Sequence, residues 1–414
     1  MPQNIVTPTK IAAETLRILH NNSAFLGNVS RDLETEYRSP PKPGATVTYR
    51  RPVQFTVRSG AAASLQDVNE TTGTLTVQPE LGIDWTFSDF DMKMSIEQFS
   101  DRYLKPAGTR LAAELDLRIA QSIIPSVGNF AGTPGTPPAT VANILDAAAL
   151  LDENACPRDG RRMMALNPRA NASVVGGLSG LFNMQQTIGE QNKTGLMRTN
   201  LGLDFVMSQN LPTHTVGPLG GTPLVNGANQ GLINASATDN VYAATTSLVT
   251  DGWTASAALR LNAGDVITIA GVFAVNPESR QSTGQLRQFV VTANASSDGS
   301  GNATLVISPA IIAGGSYQNV TARPADNAAI TVVSGSAGVS YGQNILWHPD
   351  AISMVNFPME VPNGMDMASQ VTYEGVSLRF VRGFDILNNR RICRFDLLYG
   401  VTVNRPEWVV RRTN

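Results

Sequence analysis

Charge, and lysine above all, is what this 414-residue chain has least of. Only 15% of its residues are charged, against roughly 25% in typical globular proteins. A protein alone in water covers itself with charge, so so poor a supply points to surface buried between copies. Of the 31 basic residues just five are lysine: Lys10, Lys42, Lys93, Lys105 and Lys193. Protein interfaces deplete lysine and favour arginine, whose planar fork loses less freedom per hydrogen bond. A GC-rich coding bias would give the same imbalance. The two cysteines, Cys156 and Cys393, carry no pairing or metal motif, and read as small buried hydrophobes of a reducing compartment. Three dispersed histidines, His20, His214 and His348, lack metal-ligand spacing. No run approaches the ~18 apolar residues of a membrane span, and the opening decapeptide has no apolar stretch of the export-signal kind. A net charge of −2 gives no global attraction to nucleic acid. Ser179 sits between glycines without the nucleophile-elbow pattern, and the glycine-rich loop at Gly128–Gly135 has no following lysine and serine to make it a phosphate loop. No enzyme activity, cofactor or metal site is expected.

What the chain does have is a pair of alternating arms, Val47–Val57 and Leu75–Phe87, each with a period of two. A turn-rich segment, Arg58–Gly73, joins them, so the simplest pairing is one long antiparallel hairpin. At ~3.3 Å per residue its arms would reach roughly 40 Å. Pro52 and Pro79 interrupt the arms, which places them at free edges. An isolated two-stranded ribbon is marginal in water, so its cover is expected from another chain. Behind it, Ser95–Leu104 reads as a short helical segment that Lys105 and Pro106 break or restart. Leu111, Leu115, Ile119 and Ile123 then form a stripe over Ala107–Ile124, with Arg110, Glu114 and Arg118 as i,i+4 charge pairs on the other side. Asp89, Asp91 and Glu97 are expected to solvate the ribbon base and favour the helix start.

In chain order, Thr7 and Pro8 start a helix whose apolar positions are Ala12, Leu16 and Leu19, followed by an extended linker from Ser39 to Gly44. Thr140 caps a helix carrying Ile144, Leu145, Ala148 and Leu151, Met163–Leu166 is a short buried strand, and Pro168 starts another helix. Near Thr215 the composition changes: Gly, Ala, Asn, Ser and Thr dominate, and short strands recur between turns until about Gly338. That spacing reads as a small antiparallel barrel or sandwich inserted into an α/β body. Alternating strands return at Val376–Phe380 and Arg391–Leu397. Trp85, Trp253, Trp347 and Trp408 are scattered, and packing explains them better than glycan binding.

The order of these elements resembles the major capsid proteins of tailed bacteriophages, and among them the coat proteins of short-tailed Salmonella-type phages, which carry an insertion domain. The stretch Cys393–Val401 with Asn404–Glu407 carries the likeness most strongly, joined by Gly264–Val272 and Asn344–Ile352. The resemblance implies an α+β fold of the HK-ninety-seven capsid type. Its parts would be an N-terminal arm (1–43), an E-loop hairpin and its base (44–94), a spine helix segment (95–127), a peripheral and axial α/β body (128–214 and 339–414), and an inserted β-barrel-like domain (215–338). It further implies hexamers and pentamers on an icosahedral shell, with a scaffolding protein, a portal protein and weak non-specific contact with packaged double-stranded DNA. The shell would be assembled in the host bacterial cytoplasm. Tyr49, Arg51, Phe55, Arg58, Val77 and Trp85 on the ribbon, with Arg405 and Glu407, are the expected subunit-interface residues. The rival reading, a secreted β-rich adhesin or glycan-binding protein, fits residues 215–338 alone.

Overall fold

The computed structural model describes residues 8–33, 43–63, 65–66, 70–87, 100–178, 201–233, 241–365, 367–386 and 390–414. The expected cap at Thr7, the linker at Ser39–Lys42, the helix start at Ser95, Ser179, and the carboxylates Asp89, Asp91 and Glu97 lie outside these. The chain divides into two compact units.

The first unit takes residues from Met1–Tyr49, Thr74–Ile119 and Ile352–Thr402. Helix α1 (Pro8–Asn22) buries Ile11, Ala12, Thr15, Leu16, Ile18 and Leu19, the face that its apolar spacing marks. Helix α2 (Lys105–Ile123) buries Leu111, Ala112, Leu115 and Ile119 here, then Ala120 and Ile123 beyond the unit's edge. At Lys105 and Pro106, where a break or restart is expected, a π-turn over Ser100–Leu104 ends and α2 begins. The two helices approach closely at Gly108, where an added Cβ would lie 3.0 Å from Ile18 Cγ2 and 3.2 Å from the Thr15 carbonyl oxygen.

Beside them lies a sheet of Ile352–Phe357, Arg390–Val403, Val376–Asp385 and Met367–Tyr373. Leu81–Phe87 also joins it, antiparallel to Arg390–Val403, with Leu81 opposite Leu397 and Cys393 opposite Trp85. This corrects the long hairpin: only Thr46–Arg50 and Thr72–Thr76 pair as a ribbon, and Leu81–Phe87 is a sheet strand. A period of two announces a strand without naming its partner, and Pro79 ends one pairing before the next begins.

The second unit takes Arg50–Gly73, Ala120–Ala351 and Val403–Asn414. Its α/β part orders Phe130–Ala131, Val409–Thr413, Ser340–Trp347, Met163–Leu166 and Asp204–Met207 in one sheet. Helices α3 (Val141–Glu153) and α4 (Pro168–Leu178) share a core with it through Ile144, Leu151, Val174, Met164 and Leu346. Thr140 Oγ1 caps α3 by accepting from the Asn143 N–H, and Asn167 Oδ1 accepts from Ala170 N at 2.7 Å at the start of α4.

The β-rich part is a six-stranded antiparallel sheet in the order Ile330–Val332, Val266–Val275, Ser282–Val291, Ala303–Ser308, Thr246–Trp253, Gly221–Val225. Its two ends nearly meet: Val225 donates to Ala328 O at 3.0 Å and accepts from Asn327 N at 2.9 Å. Ile267, Ile269, Phe289, Leu305 and Ile307 fill the interior of this barrel-like sheet.

Candidate subunit interface

At the paired end of the ribbon, alternation turns Val47, Tyr49, Leu75 and Val77 to one side. They pack with Leu33, Val355, Phe357, Met359 and Leu398 of the same unit. Tyr49 and Val77 are 4% and 1% exposed, so the expectation that they meet a neighbour is corrected: their apolar area is spent inside their own chain. Trp85 stands on the sheet strand and not on the ribbon. It is half-buried, with its ring centroid 5.0 Å from that of Phe395.

Past Arg50 the ladder stops. Arg51 N donates to Thr71 O at 2.8 Å, and the Gln66 side chain clasps Thr56, accepting from its N–H at 2.8 Å and donating to its carbonyl at 2.6 Å. One side-chain amide thus replaces strand bonds and holds Gln66 beside Thr56. Arg58 closes the turn by donating to the carbonyls of Gly60 and Ala62, and Gly60 adopts the left-handed φ of +100° that a side chain would resist. This loop leaves Phe55 59%, Val57 99% and Leu65 89% exposed.

The charged residues expected at the interface gather differently. Arg51 lies over the Tyr242 ring at 5.3 Å and donates to its hydroxyl, and Tyr242 meets Tyr317 edge-on at 5.3 Å. Arg405 stacks on Trp408 at 4.1 Å. Burial pushes the half-buried Glu407 carboxyl above the usual range, while Arg51, Arg405 and Arg287 pull it back. Arg51, Arg405 and Glu407 are therefore neighbours in one unit, engaged with their own chain. Phe55 and Arg58 sit on the exposed loop.

Two residues that pattern reading passed over organise the second unit. Asp265, wholly buried, accepts from His214 Nε2 at 2.8 Å, Gly217 N at 3.0 Å, Asn262 N at 2.8 Å and the Ser334 hydroxyl at 3.1 Å. It thereby ties together the residues at which the chain enters and leaves the β-rich part. Arg411, also wholly buried, donates to Ile124 O at 2.9 Å, Gly264 O at 2.7 Å and Gln343 Oε1 at 3.2 Å. Burial lowers its guanidinium to about 10, against the pull of Asp265. Arg412, beside it, is interior as well. Sequence shows Asn262–Asp265 only as a turn; no local signal tells that its carboxylate collects four donors.

Among the described residues no three His, Cys, Asp or Glu side chains gather as metal ligands, and no helix is long and apolar enough to cross a membrane.

Comparison with known proteins places this arrangement among virus shells. The family model described as "P22 coat protein - gene protein 5" matches residues 38–411. A "Major capsid protein" of Acyrthosiphon pisum secondary endosymbiont phage 1 is 23% identical over 379 residues, covering 88% of this chain and 87% of its own. Among solved structures, one from Mycobacterium phage Che8 is 14% identical over 94% of this chain and 90% of its own, with a TM-score of 0.47. The CUS-3 coat protein I-domain is 30% identical over 28% of this chain and 96% of its own, with a TM-score of 0.21.

Proposed function

This chain belongs to the P22 coat protein family, and we propose that its copies assemble as hexamers and pentamers into the icosahedral shell of a tailed bacteriophage. It is a major capsid protein of the HK-ninety-seven-type fold, a shell-forming subunit in a structural role, and its place is the virion capsid. The ribbon and its loop (Thr46–Thr76) act as the E-loop, α2 as the spine helix, and residues 215–338 as an inserted domain. A scaffolding protein and a portal protein accompany assembly in the host cytoplasm, and packaged double-stranded DNA makes weak non-specific contact with the inner face.

One observation within the chain carries the assignment of the contact surface: Phe55, Val57 and Leu65 stand in solvent on a loop in which the Gln66 amide is bonded to Thr56. Phe55 and Arg58 are proposed as intersubunit contacts. Tyr49 and Val77 support the ribbon from within, the half-exposed Trp85 of the sheet strand is proposed as a further intersubunit contact, and Arg51, Arg405 and Glu407 brace the second unit. Burying three such side chains contributes about 1.5–3 kcal/mol each where the fit is complete, which is repeated at every subunit of a closed shell. Electron microscopy and light scattering of the purified chain test the proposal. Capsomers, shells or aberrant polymers are expected; a monodisperse monomer at high concentration, with and without scaffold, refutes it.

A further inference from the structure

Asn226 follows directly on Val225, at the seam where the two ends of the barrel-like sheet meet, and it precedes Gly227. An asparagine before glycine is open to attack by its own backbone. The glycine nitrogen is tethered within reach of the asparagine Cγ, and no Cβ obstructs it. Here the peptide that joins the two is held at both ends. Gly227 N donates to Asp326 Oδ1 at 2.8 Å, and the Asn226 carbonyl oxygen accepts from Gln230 Nε2 at 2.8 Å. Asp326 stands across the seam, its other oxygen accepting from Asn327 Nδ2 at 2.8 Å. Asn226 and Gly227 are both exposed, and the Asn226 side-chain amide makes no hydrogen bond among the described residues. A Cβ added at Gly227 would meet nothing within 4 Å, so the space around the nitrogen is open.

We propose that Asn226 is a self-deamidation site, with the Gly227 nitrogen as nucleophile and the Asp326 carboxylate as base. Asp326 takes the Gly227 N–H proton, while the Gln230 amide steadies the negative charge that passes to the Asn226 carbonyl oxygen. The proton leaves in the plane of the peptide, whereas the nitrogen attacks through the lone pair perpendicular to it. Base and electrophile therefore do not compete for one direction. The new N–Cγ bond closes a five-membered ring. The bond from Cγ to the side-chain nitrogen then breaks, Asp326 returns its proton to that nitrogen, and ammonia departs. Water opens the imide at either carbonyl to give aspartate or isoaspartate at position 226, and nothing is oxidised or reduced. Because the imide nitrogen carries no hydrogen, the bond to Asp326 is lost at ring closure. Hydrolysis then sets a second carboxylate beside Asp326 at the seam.

The chain carries its own control. Asn363 precedes Gly364 in an exposed turn, and no hydrogen bond reaches either end of the joining peptide among the described residues. The test incubates the full-length unassembled subunit at neutral pH, native and in urea, and scores aspartate and isoaspartate at positions 226 and 363 by peptide mass spectrometry. In the native subunit Asn226 is expected to convert roughly tenfold faster than Asn363, a modest return for a positioned base because a carboxylate is a weak one. In urea the carboxylate is no longer held on the amide, and the advantage of Asn226 is expected to disappear. Asp326→Asn keeps the shape but not the base. It is expected to bring the native rate at Asn226 down to that at Asn363 and to leave Asn363 unaffected. A native rate at Asn226 equal to or below its rate in urea overturns the proposal, since the fold would then protect the site. An unchanged native rate in Asp326→Asn overturns the role of the carboxylate. Should that variant not fold, the native-to-urea ratio of the wild type still decides.

Discussion

Arg411 donates through Nη1 to the carbonyl of Gly264 at 2.7 Å, linking the last strand of the chain to the turn that carries Asp265. Both side chains are wholly out of water, and every donor that reaches Asp265 comes from the chain's entry to, exit from, or first turns within the β-rich part.

Removing that guanidinium leaves the buried Ile124 and Gly264 carbonyls without their donor and takes an attractive charge away from Asp265. Arg411→Leu is expected to cost about 3–5 kcal/mol, the range for breaking one side of a buried charged network. Urea unfolding of the unassembled subunit measures it. A loss below 1 kcal/mol would show that the network is replaceable.

Asp116, 1% exposed on α2, accepts from Ala24 N at 2.7 Å, from Phe25 N and from the Ser23 hydroxyl. Desolvation raises its carboxyl above the usual range even against those donors. The folded subunit therefore binds this proton more tightly than the unfolded chain does. The associated stabilisation is complete below the unfolded pKa and is lost as pH rises through the folded one. Relative to Asp116→Asn, wild-type stability should fall across the window that opens at the ordinary carboxylate value and extends above it. Parallel pH curves for the two proteins would contradict this.

Phe55→Ser together with Leu65→Ser removes apolar surface that the subunit does not bury. Stability should change by less than about 0.5 kcal/mol, as for ordinary surface positions, while closed shells fail to form. Leu115→Ala, at a wholly buried site, should show the converse order of effects and cost about 2–5 kcal/mol. Sedimentation with electron microscopy reads the first result and urea unfolding the second. Normal shells from the double serine variant would disprove the role of the loop.

Burial pushes the Cys156 thiol up to about 11, with Arg162 opposing. At pH 8 almost none of it is thiolate, the reactive form. Iodoacetamide should leave Cys156 unmodified in the folded subunit and label it promptly in urea, as mass spectrometry of the corresponding peptide would reveal. Fast labelling of the native protein would be the contrary result.

Much of this was legible in advance where a short window contains its own cause. The fourfold recurrence of Leu111, Leu115, Ile119 and Ile123 is the buried face of α2, and Thr140 caps α3 as its position before an apolar run suggests. Alternation at Leu81–Phe87 gave the strand but assigned it to the ribbon, because a strand's period is blind to its partner. Tyr49 and Val77 looked like uncovered ribbon residues until distant Val355, Phe357 and Leu398 arrived beneath them. Arg58 is exposed at the turn-rich segment, and Phe55, read as part of an alternating arm, is exposed where the strand has already ended at Arg50.

The amino-acid order by itself determined the periodicities, the caps and the family, since each depends on residues a few places apart or on a recognisable string. Only the tertiary structure decided which charges are interior. Asp116, Asp265, Arg287 and Arg411 carry no mark that separates them from solvated neighbours. Burial is conferred by segments remote in the chain, and the cost of removing a charge from water is met only where those segments deliver hydrogen-bonding partners.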